Sequence, residues 1–246
     1  VPVTNSFSSF TVRGGLAYSQ VNRFLGGTNR ETCVALNATT GAELWSRDFE
    51  DCYYPLDTGV VSNNGPRTTP VIDGDSVFIL TSHLKLYRLN ATNGTTIWQK
   101  DLLNLYGGTI VQNENAASPL IENGLIFVST AANTSSLMAF STTNGSLVWR
   151  AQNEFMTHAT PVVTTIHGVR QVIFATRAGL VSVNPLTGAL LWKFNYPFTV
   201  QANSELIVSP VVYQDIVFIA GSRSQLFGSL ARRVTLTNNV WSTTLL

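Results

Sequence analysis

Asn90–Trp98 reads NATNGTTIW, and this stretch decides the fold because the chain repeats it. Asn37–Trp45, Ser141–Trp149 and Asn184–Trp192 carry the same motif, each with a glycine four residues before the tryptophan. A degenerate copy without the glycine ends at the last tryptophan. All five tryptophans therefore fall at one repeat position: Trp45, Trp98, Trp149, Trp192 and Trp241. Their intervals of about fifty residues lie in the range of propellers and solenoids.

Each copy of the motif predicts a β-hairpin. Thr-Gly or Asn-Gly supplies the positive φ that a tight two-residue turn needs. Alternating apolar residues flank it, as in half-buried strands. The tryptophan on the second strand offers a large flat surface, which we expect to pack against a neighbouring unit.

A Ser-Pro or Thr-Pro pair precedes each of the last four tryptophans: Thr69-Pro70, Ser118-Pro119, Thr160-Pro161 and Ser209-Pro210. Each pair opens a short apolar run, followed by a turn and a second run. Because a sheet tolerates proline at the first residue of a strand, the pair marks a strand start. One repeat thus predicts four strands, A to D, which is one propeller blade. The expected blades, in a single domain 1–246, are about 9–48, 68–101, 117–151, 159–194 and 208–246.

These repeats resemble the tryptophan-docking repeats of the pyrroloquinoline-quinone-like β-propellers over nearly the whole chain. The resemblance implies an all-β propeller of four-stranded antiparallel blades, five of them visible. Relatives more often have seven or eight blades, so we expect an incomplete ring or a fragment of a longer one. The family includes quinoprotein alcohol dehydrogenases and the lipoprotein of the outer-membrane assembly machine, so the fold by itself does not decide the function.

Composition argues against some classes of function, namely nucleic-acid binding and membrane spanning. Only 12% of the 246 residues are charged and the formal net charge is +1, with no basic run that would indicate nucleic-acid binding. No apolar run approaches the ~18 residues of a membrane span. A surface so poor in charge indicates glycans or burial in an assembly, so we expect protein partners or self-association.

Secretion is the favoured interpretation because five sequons fit the acceptor pattern for N-glycosylation: Asn37, Asn90, Asn93, Asn133 and Asn144. The alternative is that Asn, Thr and Gly are simply favoured at turns, where an asparagine side chain can cap the backbone. Cys33 and Cys52 bracket the first motif and are expected to pair in an oxidising compartment. The alternative is two separate buried thiols.

The resemblance to quinoprotein dehydrogenases implies a calcium ion held beside the quinone, an aspartate base and, in many members, a disulfide between adjacent cysteines. Here the cysteines are not adjacent, and the acidic residues form no clustered pattern suited to calcium. We therefore expect no catalytic residue, no metal and no cofactor. Pyrroloquinoline quinone and calcium belong only to the alternative in which the chain is an enzyme.

The segments that enter strand A carry polar residues, which in a propeller meet at the top of the central channel. A funnel that binds a polar ligand would be rimmed by Arg67, Glu114, Asn115, His158 and Glu205. The alternative is that these residues cap loops and satisfy backbone groups. His83 and His167 fall in expected turns, where we interpret them as solvated.

The sequence thus predicts a secreted, N-glycosylated propeller with a binding or structural role, including assembly into an extracellular homo-oligomer or filament. Two alternatives remain: a quinone-dependent dehydrogenase with its site in the top funnel, and a periplasmic scaffold whose sequons are accidental.

Overall fold

Five separate four-stranded antiparallel sheets make up the protein. The structure is a computed structural model that describes residues 6–51, 65–111, 114–130, 135–197, 208–220 and 228–246. In each sheet the strands pair in sequence order, as in the predicted blade. The sheets are called blades 1 to 5. Within the described residues no helix is long and apolar enough to cross a membrane.

The strand bounds follow the predicted repeats closely. Blade 1 consists of β1 (Thr11–Arg13), β2 (Leu16–Leu25), β3 (Thr28–Asn37) and β4 (Glu43–Asp51). Blade 2 consists of β5 (Val71–Asp73), β6 (Ser76–Leu80), β7 (Lys85–Asn90) and β8 (Thr96–Asp101), after which comes the short helix α1 (Leu102–Tyr106). Blade 3 consists of β9 (Leu120–Glu122), β10 (Leu125–Ser129), β11 (Leu137–Ser141) and β12 (Leu147–Ala151). Blade 4 consists of β13 (Val162–Ile166), β14 (Val169–Ala175), β15 (Gly179–Val183) and β16 (Leu190–Asn195). Blade 5 consists of β17 (Val211–Tyr213), β18 (Ile216–Ile219), β19 (Leu230–Thr237) and β20 (Val240–Leu245).

The proline marks are confirmed as strand starts. Pro70, Pro119, Pro161 and Pro210 are buried and stand immediately before β5, β9, β13 and β17. Since the proline lies just outside the ladder, its missing N–H removes no strand hydrogen bond.

The prediction of a two-residue turn in the glycine motif is wrong. In blade 1 the last pair before the connection is Leu36 with Glu43. The connection is closed by two backbone bonds, in which Asn37 N donates to Ala42 O and Gly41 N donates to Asn37 O, both at 2.8 Å. Asn37 Oδ1 also accepts from the backbone N–H groups of Thr39 and Thr40, so its side chain caps the turn. Gly41 has φ +70°, the left-handed conformation that glycine adopts without a Cβ clash.

A two-residue turn occurs instead where the motif is degenerate. Thr237 pairs with Val240, and the two residues between them, Asn238 and Asn239, both have positive φ. Positive φ at both central positions is what a type I′ hairpin requires, and asparagine tolerates it.

Tryptophan docking onto glycine joins neighbouring blades. Trp45 of blade 1 lies against Gly94 of blade 2, where a Cβ would stand 2.5 Å from Trp45 Cε3. The indole N–H of Trp45 donates to Ala91 O at 2.9 Å. Trp149 of blade 3 repeats this arrangement on blade 4: a Cβ on Gly188 would lie 2.6 Å from its ring. Only glycine therefore permits the close approach of the next connection to the indole.

Trp241 does not occupy the same position as the other four tryptophans, contrary to the sequence interpretation. It packs against the core shared by blades 4 and 5, and its ring centroid lies 6.4 Å from that of His167 in blade 4. The short turn at Asn238-Asn239 changes the spacing between turn and tryptophan. Because successive side chains alternate across a strand, this change directs Trp241 to the preceding blade.

The chain divides into two compact units, Val1–Tyr106 with Ile110–Pro119 and Gly107–Thr109 with Leu120–Leu246. The first unit contains blades 1 and 2, whose shared core includes Tyr18, Cys33 and Ile79. The second contains blades 3 to 5, with one core between blades 3 and 4 and another between blades 4 and 5. The single domain 1–246 stays a prediction.

We expect Gly94→Ala to lower the free energy of unfolding more than Gly41→Ala. Both glycines have φ near +70°, so both substitutions carry a backbone cost of about 1 kcal/mol. Only Gly94 would also meet the Trp45 ring, which adds about 2 kcal/mol of overpacking. Urea denaturation of both variants measures the difference, and equal midpoints would contradict the docking role of Gly94.

Candidate functional site

The two ends of each blade carry different connections. Because strands A to D are antiparallel and paired in order, the A–B and C–D connections share one end of a blade, here called the turn end. The B–C connection and the segments that lead to and from neighbouring blades share the opposite end, here called the loop end. The predicted funnel residues belong to the loop end, since each precedes a strand A.

Arg67 and Glu114 lie together at the loop end of the first unit. Arg67 Nη1 is 3.7 Å from Glu114 Oε2, and the Glu114 side chain is only 1% exposed. The guanidinium carbon of Arg67 also lies 5.3 Å from the ring centroid of Phe7, which is 52% exposed. The guanidinium compensates a carboxylate that would otherwise be an isolated buried charge, so Glu114 depends on Arg67 at this position.

Asn115 is a structural residue. Its Nδ2 donates to Ala117 O at 3.1 Å, and its Oδ1 accepts from Ala117 N at 3.1 Å. Its backbone N–H donates to Ser82 O at 3.0 Å. These bonds satisfy the backbone groups of the segment that enters strand A. Asn115 therefore fits the alternative interpretation, in which the residue serves the backbone and does not bind a ligand.

The remaining funnel residues are placed differently. His158 is buried, at 7% exposure, and belongs to the second unit. Glu205 lies outside the described residues. The structure therefore brings together Arg67, Glu114 and Asn115, and a funnel formed by all five residues stays a prediction.

Glu31 is a buried carboxylate that the sequence analysis missed. It is 2% exposed on β3 and accepts from Ser82 N at 3.2 Å and from Ser82 Oγ at 3.3 Å. A carboxylate that accepts backbone and hydroxyl donors fixes the B–C connection of blade 2. The only signal in the sequence is an acidic residue two positions before the apolar run Cys33–Leu36 of the same strand.

Glu154 plays the corresponding role in the second unit and was also missed. Its buried carboxylate forms an ion pair with the partly exposed Lys193 of β16, and Thr176 Oγ1 lies 3.3 Å from its Oε2. Its backbone N–H donates to Ser136 Oγ at 3.0 Å. Glu154 and Lys193 are far apart in sequence, so no spacing rule indicates the pair.

An aromatic side chain stands exposed beside this buried network. Phe155 is 55% exposed, and the guanidinium carbon of Arg177 lies 5.2 Å from its ring centroid. Arg177 N donates to Phe155 O at 3.0 Å, which joins the B–C connection of blade 4 to the segment before β13. The arrangement presents a flat apolar ring with a cation stacked on it.

The described sequons differ in exposure, not in what their side chains do. Asn90 Oδ1 caps its own turn by accepting from Thr92 N at 2.9 Å, just as Asn37 does, and both asparagines are only partly exposed. Asn93 Oδ1 and Asn144 Oδ1 accept from Thr95 N and Ser146 N, both at 3.0 Å, but these two asparagines are exposed at the turn end of blades 2 and 3. Asn133 lies outside the described residues.

Cys33 is a free thiol in the core of the first unit, at 0% exposure, and burial raises its pKa. Cys52 lies outside the described residues, so the disulfide stays a prediction. His167 lies in the A–B turn of blade 4 and is exposed, as the sequence predicts, and its Nε2 lies 2.8 Å from Val234 O. Within the part of the chain that the structure describes, no three His, Cys, Asp or Glu side chains are grouped as metal ligands.

Four-stranded antiparallel sheets, joined within each unit by tryptophan packing, are the blades of a β-propeller of the pyrroloquinoline-quinone-like repeat type. The model of the family described as outer membrane protein assembly factor BamB matches residues 11–245, and the chain belongs to this family.

Known proteins support this assignment. The chain is similar to the outer membrane protein assembly factor BamB of Moranella endobia (strain PCIT), with 26% identity over 65% of this chain and 38% of that protein. The crystal structure of BamB from Moraxella catarrhalis is similar with a TM-score of 0.64 and 18% identity, covering 94% of this chain and 61% of that one. The quinohemoprotein alcohol dehydrogenase from Comamonas testosteroni shares the fold with a TM-score of 0.59 and 12% identity, covering 99% of this chain and 43% of that one. The chain thus spans less than two thirds of the length of each of these relatives.

We expect Lys193→Met to reduce the free energy of unfolding by about 2–3 kcal/mol, because Glu154 would keep a buried charge without its cation. The double variant Glu154→Gln, Lys193→Met should recover most of that loss, since the charge is gone. A double-mutant cycle by urea denaturation measures the coupling. If the losses of unfolding free energy in the two single variants add up to the loss in the double variant, the ion pair does not form.

Proposed function

We propose that this chain is a non-catalytic protein-binding part of a periplasmic scaffold that serves outer-membrane protein assembly. Membership of the BamB family supports the proposal, as does the similarity to relatives that are outer membrane protein assembly factors. The proposal concerns the binding role of this part of the molecule, because the chain spans only a fraction of the relatives' length.

The observation that carries the proposal is the arrangement of side chains at the loop end of the second unit, where polar groups fix the connections and an aromatic ring faces solvent. Thr176 Oγ1 is bonded to Glu154 Oε2 and to Gly179 O, and Glu154 N donates to Ser136 Oγ, which fixes the connections. The group presented to solvent is the Phe155 ring with Arg177 stacked on it. Aromatic and arginine side chains on a rigid support are the residue types that dominate binding energy at protein interfaces.

The enzyme alternative receives less support. The likeness to quinohemoprotein alcohol dehydrogenase, at 12% identity, shows the fold alone. A quinone site of this family needs calcium ligands, and the carboxylates described at the loop end are already engaged: Glu154 pairs with Lys193 and Glu31 accepts from Ser82. These residues do not fit a calcium and quinone site, so no chemical step is derived through one.

We expect Phe155→Ala and Arg177→Ala each to weaken co-purification with the outer-membrane assembly machinery at least tenfold, because both remove part of one contact surface. Quantitative cross-linking in intact bacteria measures this loss as the amount of partner that co-purifies with each variant. The captured partner is then identified.

Leu190→Ala is the matched control, because Leu190 is an exposed aliphatic residue of the same unit and is not part of the loop end. Unchanged cross-linking of both loop-end variants would overturn the assignment of the surface. Cross-linking to proteins outside that machinery would overturn the proposed function.

A second candidate function is the secreted, N-glycosylated assembly module, with an extracellular location and a Cys33–Cys52 disulfide. Two observations favour it. Asn93 and Asn144 are exposed sequons. Blade 5 also exposes Val211, Tyr213 and Phe218 on the face that does not pack against blade 4, which is a surface suited to self-association.

Intact mass before and after enzymatic removal of N-glycans tests this second function on native material. It predicts glycan on Asn93 and Asn144, which are exposed, and none on Asn37 or Asn90, which are only partly exposed. A mass that does not change on enzyme treatment would remove the second function and leave the periplasmic scaffold.

A further inference from the structure

A cleft of about 380 Å³ opens at the turn end of the second unit, between blades 3 and 4. Its wall is largely apolar and includes Leu125, Val169, Pro185 and Leu186. Leu186 is 68% exposed on the rim. A volume of this size is in the range of pockets that hold small ligands or large side chains.

The part of the cleft wall that contains Pro185 is held in place by contacts within the protein. Pro185 O accepts the indole N–H of Trp149 at 2.8 Å, so the tryptophan that joins the two blades also fixes this part of the wall. Gly188, at the end of the same connection, lies against the Trp149 ring. A wall held by docking does not need to be ordered when a ligand binds, which removes one cost of binding.

Arg170 is held in one orientation at the side of the cleft. Its Nε and Nη2 each lie 2.7 Å from Glu122 Oε1, and its Nη1 donates to Thr165 Oγ1 at 3.2 Å. Because the N–H groups of a guanidinium lie in its plane, these bonds do not use the flat faces of the Arg170 guanidinium. The faces are therefore available for stacking, and the Arg170 side chain is 45% exposed.

The charge of the cleft determines the class of ligand. Glu122 and Arg170 neutralise one another, so the cleft does not favour a charged ligand. An apolar wall beside a flat, oriented guanidinium fits a neutral aromatic ring. Asn123 places its side-chain amide at the same cleft, and Asn184 can donate through Nδ2, because its Oδ1 accepts from Leu186 N at 2.9 Å; both can bond to peptide groups that flank such a ring.

We propose that this cleft binds a neutral aromatic side chain, tryptophan, tyrosine or phenylalanine, of a partner polypeptide. The site is at the opposite end of the blades from Phe155 and Arg177. It goes beyond the proposed function, and its test does not depend on the loop-end surface.

Methyl NMR of the whole chain, with labelled leucine and valine, tests the proposal. N-acetyl-tryptophanamide should produce saturable shifts of the Leu125, Val169 and Leu186 methyl signals, whereas N-acetyl-leucinamide should not. No saturable shift with the aromatic probe, or equal shifts with both probes, would overturn the site or its aromatic class.

Indole is the third probe, because it carries the ring without peptide groups. Tighter binding of N-acetyl-tryptophanamide than of indole supports a polypeptide as the source of the ring. Equal or weaker binding of N-acetyl-tryptophanamide would overturn that part of the proposal and indicate a free aromatic molecule.

Two pairs of variants test the wall and the guanidinium. Leu186→Ser should weaken binding of the aromatic probe about fivefold, whereas Leu190→Ser, at another exposed leucine of the unit, should not. Arg170→Met should weaken it about three- to fivefold, with Arg150→Met on β12 as the matched control. Variants that bind as tightly as their controls, with the spectrum of the folded chain intact, would overturn the proposal.

Discussion

The contact between a tryptophan and the glycine of the next blade is the constraint on which the rest of the structure depends. A four-stranded sheet has two faces and cannot bury both alone. In blades 1 and 3 the indole ring covers part of the face shared with the following blade, and its N–H satisfies a carbonyl of the next C–D connection. The glycine has to be present in that connection, because any Cβ would overlap the ring.

The docking contact holds the strands of neighbouring blades together, whereas the connections between strands carry the proposed binding surface. Glu31 lies within β3 and Glu154 follows β12, and each buried carboxylate fixes a connection by accepting from a hydroxyl group or a backbone N–H of another segment. A connection held in this way can present Phe155 to solvent in a fixed position. The family assignment and this arrangement point in the same direction, toward a protein that positions contact residues on a rigid support.

The candidate site was only partly predictable. Arg67, Glu114 and Asn115 were identified because each precedes a strand A, and the structure brings them together. Their roles were not predictable, since Asn115 serves the backbone of its own loop. The pairs Glu154–Lys193 and Glu122–Arg170 were missed because each joins segments far apart in sequence. Pairing between distant segments depends on how the sheets pack, which no local pattern records.

The sequence by itself determined the repeat, the four strands of each blade, the strand starts after proline and the capping asparagines, because each depends on local backbone preferences and on alternation along a strand. Only the tertiary structure decided the length of the glycine connection and the direction of Trp241. A change of turn length reverses which face a side chain occupies, so one short hairpin turns the last tryptophan toward the preceding blade. The cleft at Arg170 is likewise a tertiary feature, because its walls come from two blades that meet only after folding.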